Sequence, residues 1–284
     1  MRTISSAICL AGAMTGLAVS AALADGHGGF YDPVEDMGVV GNIEASYRAS
    51  DIEDIDPRAN FWALRGTLNL RDGGYPQVQI DVGYERARLD DLNVDALDGA
   101  VHLYQYATPN IAYGAFIQGA RFTTNLFDLL GMPDEDDSAT DVVGGLQVAY
   151  LGDLGTVYGQ VGYGVAEYDG DSYERYAAKA GVRAYATDNF RFDVEGAFNR
   201  LDGDDWGVNA YTLAAQGNYR IRSSPVSVFA RYEYDRFTYD ESDVQLGDLD
   251  VQTISAGVKM HFGSTSLREE ERNGPQWSAN RAYY

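Results

Sequence analysis

From residue 40 to residue 262 one pattern recurs: segments of about ten residues in which apolar and polar side chains alternate, divided by breaks containing Gly, Asp, Asn or Pro. Successive side chains of a strand point to opposite faces, so each segment reads as a strand with one apolar and one polar face. Residues 253–262 are the clearest case. Ile254, Ala256, Val258, Met260 and Phe262 share one side, and Ser255, Gly257, Lys259 and His261 share the other. Residues 189–200 set Phe190, Phe192, Val194 and Phe198 against Arg191, Asp193, Glu195 and Asn199. A helical period of 3.6 cannot produce that order.

The same reading gives strands over 40–48, 61–70, 77–85, 142–151, 156–168, 173–186, 208–221 and 226–237, while 97–107 and 111–123 alternate with an ambiguous phase. That makes about twelve strands. If the apolar faces turn outward, Ile43, Tyr47, Trp62, Leu64, Val78, Ile80 and Val82 face out. Arg65, Asp81, Glu85, Arg175, Lys179, Arg183, Arg191, Asp193, Glu195, Arg231 and Glu233 then face in. Short breaks at 71–74, 108–110, 152–154, 187–188 and 223–225 alternate with longer acidic ones at 51–57, 90–95, 124–139, 169–171, 201–205 and 239–249.

Composition changes the picture by removing alternatives. Mean hydropathy is −0.30, and after the first 24 residues no apolar run has the ~18 to 20 residues that a membrane helix needs. A barrel needs no such run, because only alternate residues face lipid, and 32 Gly with 21 Tyr suit that surface. A soluble sandwich also alternates, but its strands run to about 5 or 6 residues, shorter than these. Residues 1–24 read as a cleaved signal peptide: Arg2, an uncharged stretch, then Ala22-Leu23-Ala24. The single cysteine, Cys9, falls inside it, so the mature chain is expected to carry no thiol, disulfide or Cys-based metal site. The expected organisation is a leader over 25–38, a barrel over 39–262 and a flexible periplasmic tail over 263–284, whose charged start could form one or two helical turns before the breaker Asn273-Gly274-Pro275 and whose Trp277, Tyr283 and Tyr284 could dock on a partner or on the barrel floor.

The alternation of 253–262 and its aromatic stop at Phe262 resemble the closing strand of Gram-negative outer-membrane β-barrels, the porin-like superfamily. The resemblance implies an all-β, antiparallel up-and-down barrel of about twelve strands in the cell outer membrane. It further implies recognition of the closing strand, with Ile254, Val258, Met260 and Phe262, by the barrel-assembly machinery, and contact with outer-membrane lipid and lipopolysaccharide. An even strand count and short turns on one side put both termini in the periplasm.

Charge bears on function. The formal balance is −22, and loss of Arg2 with the signal makes it one unit more negative. That sign excludes nucleic acid as a partner. The acid concentrates in the long breaks, as in 134–137, where it is either a solvated surface or a loose site for divalent ions, and no calcium-loop spacing is present. No metal ligand or cofactor is assigned. The inward set is balanced instead, with Arg175, Lys179 and Arg183 as a cationic stripe expected to face acids across the lumen in the manner of porins. The expected function is passive diffusion of small polar or charged solutes. The alternative is a closed structural or partner-binding barrel, and a remoter one is a lipid hydrolase. Hydrolysis needs a histidine beside a serine or an acid near the outer rim. His27 lies in the leader, His102 mid-strand facing in, and His261 one residue from the barrel's end, so no catalytic residue is expected. The apolar stretch 126–132 folds into the mouth, packs on the rim, or meets a second copy in a homo-oligomer; the sequence leaves all three open.

Overall fold

The computed structural model describes residues 38–274 and Trp277, apart from 53–54, 72–75, 90–91, 126–137, 169, 204–205 and 242–247. Twelve strands follow in order: β1 (Gly38–Ile52), β2 (Ile55–Arg71), β3 (Gln77–Leu89), β4 (Leu92–Thr108), β5 (Ile111–Thr124), β6 (Ser138–Leu151), β7 (Gly155–Tyr168), β8 (Asp171–Thr187), β9 (Phe190–Asp202), β10 (Trp206–Arg220), β11 (Val226–Glu241) and β12 (Asp248–Phe262). Each pairs antiparallel with its sequence neighbours, and β1 pairs with β12 from Gly41 opposite Phe262 to Ile52 opposite Val251. Closure leaves no unpaired edge, which is what a sheet in lipid requires, since lipid offers no partner to a bare N–H or C=O.

Phase follows the sequence pattern. Asn42, Glu44, Arg65, Asn69, His102 and Lys259 point inward and are buried, while Ile43, Leu64, Val82, Leu103 and Val258 stand outside. The outer surface is layered. Aliphatic residues such as Ile117, Leu146, Val161, Val182, Val194, Leu213 and Ile254 form its middle. Tyr47, Trp62, Tyr163, Tyr176 and Tyr211 ring it towards one end, and Tyr113, Tyr150, Phe190, Tyr219 and Phe262 towards the other. An apolar band between two aromatic girdles is the surface of a barrel seated in a bilayer.

Two expectations change. The strands run 13 to 17 residues, beyond the ~9 to 11 that cross a bilayer. They extend chiefly at the end away from the barrel's termini, here called distal; Gly38 and Phe262 lie at the proximal end. Several acidic breaks are therefore ladder rather than loop: β1 and β2 are separated only by 53–54, and β3 and β4 only by 90–91. A polar residue does not end a strand whose backbone groups still find partners across the ladder. The segments 126–137 and 242–247 lie outside the described residues, as do the expected signal peptide and all but Gly38 of the leader.

After β12 the chain reverses at Gly263, whose φ of +79° is a left-handed conformation that costs glycine little. It then forms helix α1 (Leu267–Asn273). Ser266 caps the helix, its hydroxyl accepting from the Glu269 N–H at 2.9 Å.

Candidate functional site

All eleven inward charges predicted from the sequence face the lumen and are buried. Their partners lie along the wall. Arg65 on β2 bonds Asp98 on β4 at 2.9 Å, Arg48 on β1 meets Glu85 on β3, and Arg175 on β8 meets Asp141 on β6. Curvature explains the skip of one strand: inward side chains from next-but-one strands converge towards the axis. Neighbouring strands supply other pairs, with Lys259 at 2.7 Å from Glu44 and Lys179 at 4.0 Å from Glu195. Arg191 and Arg231 pair within their own strands, with Asp193 at 2.7 Å and with Glu233 respectively.

The expected stripe on β8 exists, but it does not face acids across an open lumen. Arg175 finds Asp141 and, at 3.0 Å, Asn199; Lys179 finds Glu195; and Arg183 finds Glu271, which belongs to α1. Each cation is neutralised locally because bringing an unpaired charge out of water costs several kcal/mol. His102 packs as a lumen residue: Nε2 lies 3.1 Å from Asp81, Nδ1 2.9 Å from Gln147, and the ring 5.8 Å from that of Phe116.

The interior is not polar throughout. Phe61, Leu92, Val94, Phe237 and Val251, with Ala59, Ala87 and Ala210, form a buried apolar collar near the distal end. The sequence hid it, because 59–63 read Ala-Asn-Phe-Trp-Ala and an aromatic residue stands on each face, so alternation there does not reveal an apolar interior.

The larger departure lies at the proximal end. The segment expected as a flexible tail turns back into the opening, where α1 and Trp277 are held by inward side chains of several strands. Glu271 accepts from Arg183 Nη1 at 3.1 Å and from the Tyr185 hydroxyl at 2.9 Å. Glu270 accepts from Asn42 Nδ2 at 3.1 Å, meets His261 Nδ1, and lies 3.9 Å from Arg220. Arg71 donates to Asn273 at 2.7 Å, and Arg272 to the Leu151 carbonyl at 3.3 Å. Trp277 is locked by both ends of one amide: its N–H donates to Gln79 Oε1 at 3.0 Å, and Gln79 Nε2 donates to its carbonyl at 2.6 Å. Its ring packs edge-on against Tyr104 in a cluster with Leu151 and Tyr158.

The Glu270 carboxyl is the titrating group of α1 whose surroundings matter most. Burial alone would raise its pKa, but His261, Asn42 and Arg220 favour the charged form more strongly, so it sits below the ordinary glutamate value.

His261 also differs from expectation. Ser227 Oγ lies 2.7 Å from its Nε2 while Glu270 meets its Nδ1, the order of nucleophile, base and acid in a hydrolytic triad. The sequence could not show it, since the serine is 34 residues away and the acid lies on a segment read as flexible. All three residues are buried, and the acid is carried by the helix that covers the other two. Opening a path to Ser227 by moving α1 would withdraw Glu270.

No family model matches the chain, and no curated protein matches it. Solved structures do. The translocator domain of the autotransporter NalP from Neisseria meningitidis aligns over 92% of this chain and 96% of its own, at a TM-score of 0.50 and 10% identity. The NanC porin aligns over 76% and 98% at 0.49 and 10%, and the KdgM porin over 77% and 99% at 0.45 and 9%. Identities this low speak to fold alone. Twelve closed antiparallel strands with an apolar band between aromatic girdles give this chain the fold of an outer-membrane β-barrel, the fold it shares with that translocator domain.

Proposed function

We propose that the protein is an outer-membrane channel for small polar or charged solutes, seen here closed, with its proximal end and both termini in the periplasm. The observation that carries this reading is the nature of the closure. The proximal mouth is covered by α1 and Trp277, a segment joined to the wall through Gly263 and held by side-chain contacts and by one backbone bond, from the Arg268 N–H to the Asp188 carbonyl in the turn after β8 at 3.0 Å, so it can leave without breaking a strand ladder. Behind it runs an interior lined with paired charges such as Arg183, Lys179 and Glu195, which can exchange partners with a passing polar solute. The Ser227–His261–Glu270 relay is read as a latch for this segment rather than as catalytic machinery.

A second reading has its own support. Arg175, Arg183 and Arg191 are each 1% exposed, so the lumen as it stands is filled, as in a structural barrel that transports nothing. Planar-bilayer recording of the refolded mature protein in a salt gradient separates the two. Discrete steps, rare in the full chain and frequent once residues 264–284 are removed, are the channel's expected signature. A truncated barrel that is folded yet silent would establish the structural reading instead.

A further inference from the structure

The plug's contacts divide unevenly in their chemistry. At its two buried glutamates the plug supplies acceptors and the wall supplies donors. Both oxygens of Glu271 are taken, one by Arg183 at 3.1 Å and the other by the Tyr185 hydroxyl at 2.9 Å. Both oxygens of Glu270 are taken as well, one by Asn42 at 3.1 Å and the other by His261, with Arg220 behind it at 3.9 Å. Two carboxylates with every oxygen met by a separate wall donor, from β1, β8, β10 and β12, describe a recognition site for anions.

Three of the donors, Arg183, Arg220 and His261, also have supports on the wall. The Arg183 guanidinium lies over the Tyr158 ring, 3.9 Å from its centroid. Arg220 Nε donates to the Ser224 carbonyl in the turn before β11 at 3.1 Å, and His261 Nε2 is held by Ser227 at 2.7 Å. These wall supports stay when α1 leaves, while Arg220 also gives up two bonds to the plug's Ser264, from Nη1 to its hydroxyl at 2.9 Å and from Nη2 to its carbonyl at 2.7 Å. Nearby, Lys259 and Arg191 already have Glu44 and Asp193 on the wall. The wall groups that the departing plug uncovers are thus Arg183, Arg220 and His261, which Glu270 and Glu271 had met, together with Arg71, which had met Asn273.

We propose that the proximal lumen holds a binding site for small organic anions bearing two or more carboxylates, and that Glu270 and Glu271 are a tethered occupant of it. This deepens the channel reading by naming a solute class: such an anion competes with the plug, takes its place and favours the open state. The use of the site in transport rests on that reading. Binding does not.

Citrate is the probe. The protein lacking residues 264–284 keeps its whole closing strand, and its folding is checked by circular dichroism and by resistance to SDS at room temperature. Calorimetry in detergent should show citrate binding to the truncated barrel, and at least tenfold weaker binding to the full chain. The full-length E270Q/E271Q protein, which keeps the helix but weakens its hold, should fall between them. In the truncated barrel R183Q should weaken citrate about tenfold, the loss of one charge-assisted hydrogen bond. In bilayers citrate added to the proximal side should interrupt the current of the truncated barrel at concentrations where chloride of equal ionic strength does not. Conduction without citrate binding overturns this proposal and leaves the channel reading standing. Citrate binding by a barrel that never conducts upholds the site and overturns the channel. If truncated and full-length proteins bind citrate equally, Glu270 and Glu271 are not its occupants, and the proposal fails.

Discussion

At the scale of single residues the lumen is a set of local neutralisations, and each has a measurable cost when broken. Asp141 is buried on β6 and meets Arg175, which also donates to Asn199. D141A should destabilise the refolded barrel by about 3 to 5 kcal/mol in a urea titration in lipid vesicles, because it leaves a guanidinium buried without its counter-charge. The small residues are as constrained as the charged ones. A Cβ on Gly145 would lie 2.7 Å from the Phe116 ring, which packs with Val143, Ala177 and His102. G145A should cost about 1 to 3 kcal/mol in the same titration, the range for overpacking a filled interior.

At the scale of elements, the plug is the part whose stability can be tuned apart from the strands. Its helix has seven residues, and the Ser266 hydroxyl caps its first turn. S266A should weaken docking by about 1 kcal/mol, raising the undocked population about fivefold, which single-channel open probability would register. Acid should act in the same direction through Glu270. Its docked pKa lies below the ordinary value because His261, Asn42 and Arg220, facing it from three strands, outweigh burial. A depressed carboxylate contributes docking stability that is complete above the ordinary glutamate pKa of about 4.3 and is lost as pH falls through the lower docked value. Open probability should therefore stay flat down to about pH 4 and rise below it, and E270Q should raise it at neutral pH and remove that rise. A steep change already near neutrality in the full chain, with no effect of E270Q, would show that another group controls the plug.

At the scale of the whole molecule the question is whether the interior carries current. Arg175, Lys179 and Arg183 form a stripe along β8, and the last of them also anchors Glu271. Replacing all three by Glu should act twice: it repels the plug, and it shifts the reversal potential in a salt gradient towards cations. An unchanged reversal potential in a variant that conducts would place the path away from β8. The same variant would separate the present account from one in which the charges only hold the wall together, since that account expects loss of folding and no change of sign.

The sequence by itself determined the strand count, the phase of nearly every strand, the inward charge set and the closing strand at Phe262. These follow from a period of two against a lipid surface, a one-dimensional pattern readable without knowing what lies opposite. The tertiary structure alone decided which charge meets which, because inward side chains choose partners across barrel curvature, as Arg175 does with Asp141 two strands away. It decided that strands would run through acidic breaks wherever the ladder still offered partners, as between β1 and β2. It also decided the fate of residues 264–274 and Trp277. In sequence they are polar and charged beyond the last strand; in space Glu270, Glu271 and Trp277 meet donors and aromatic rings that exist only once the barrel has closed.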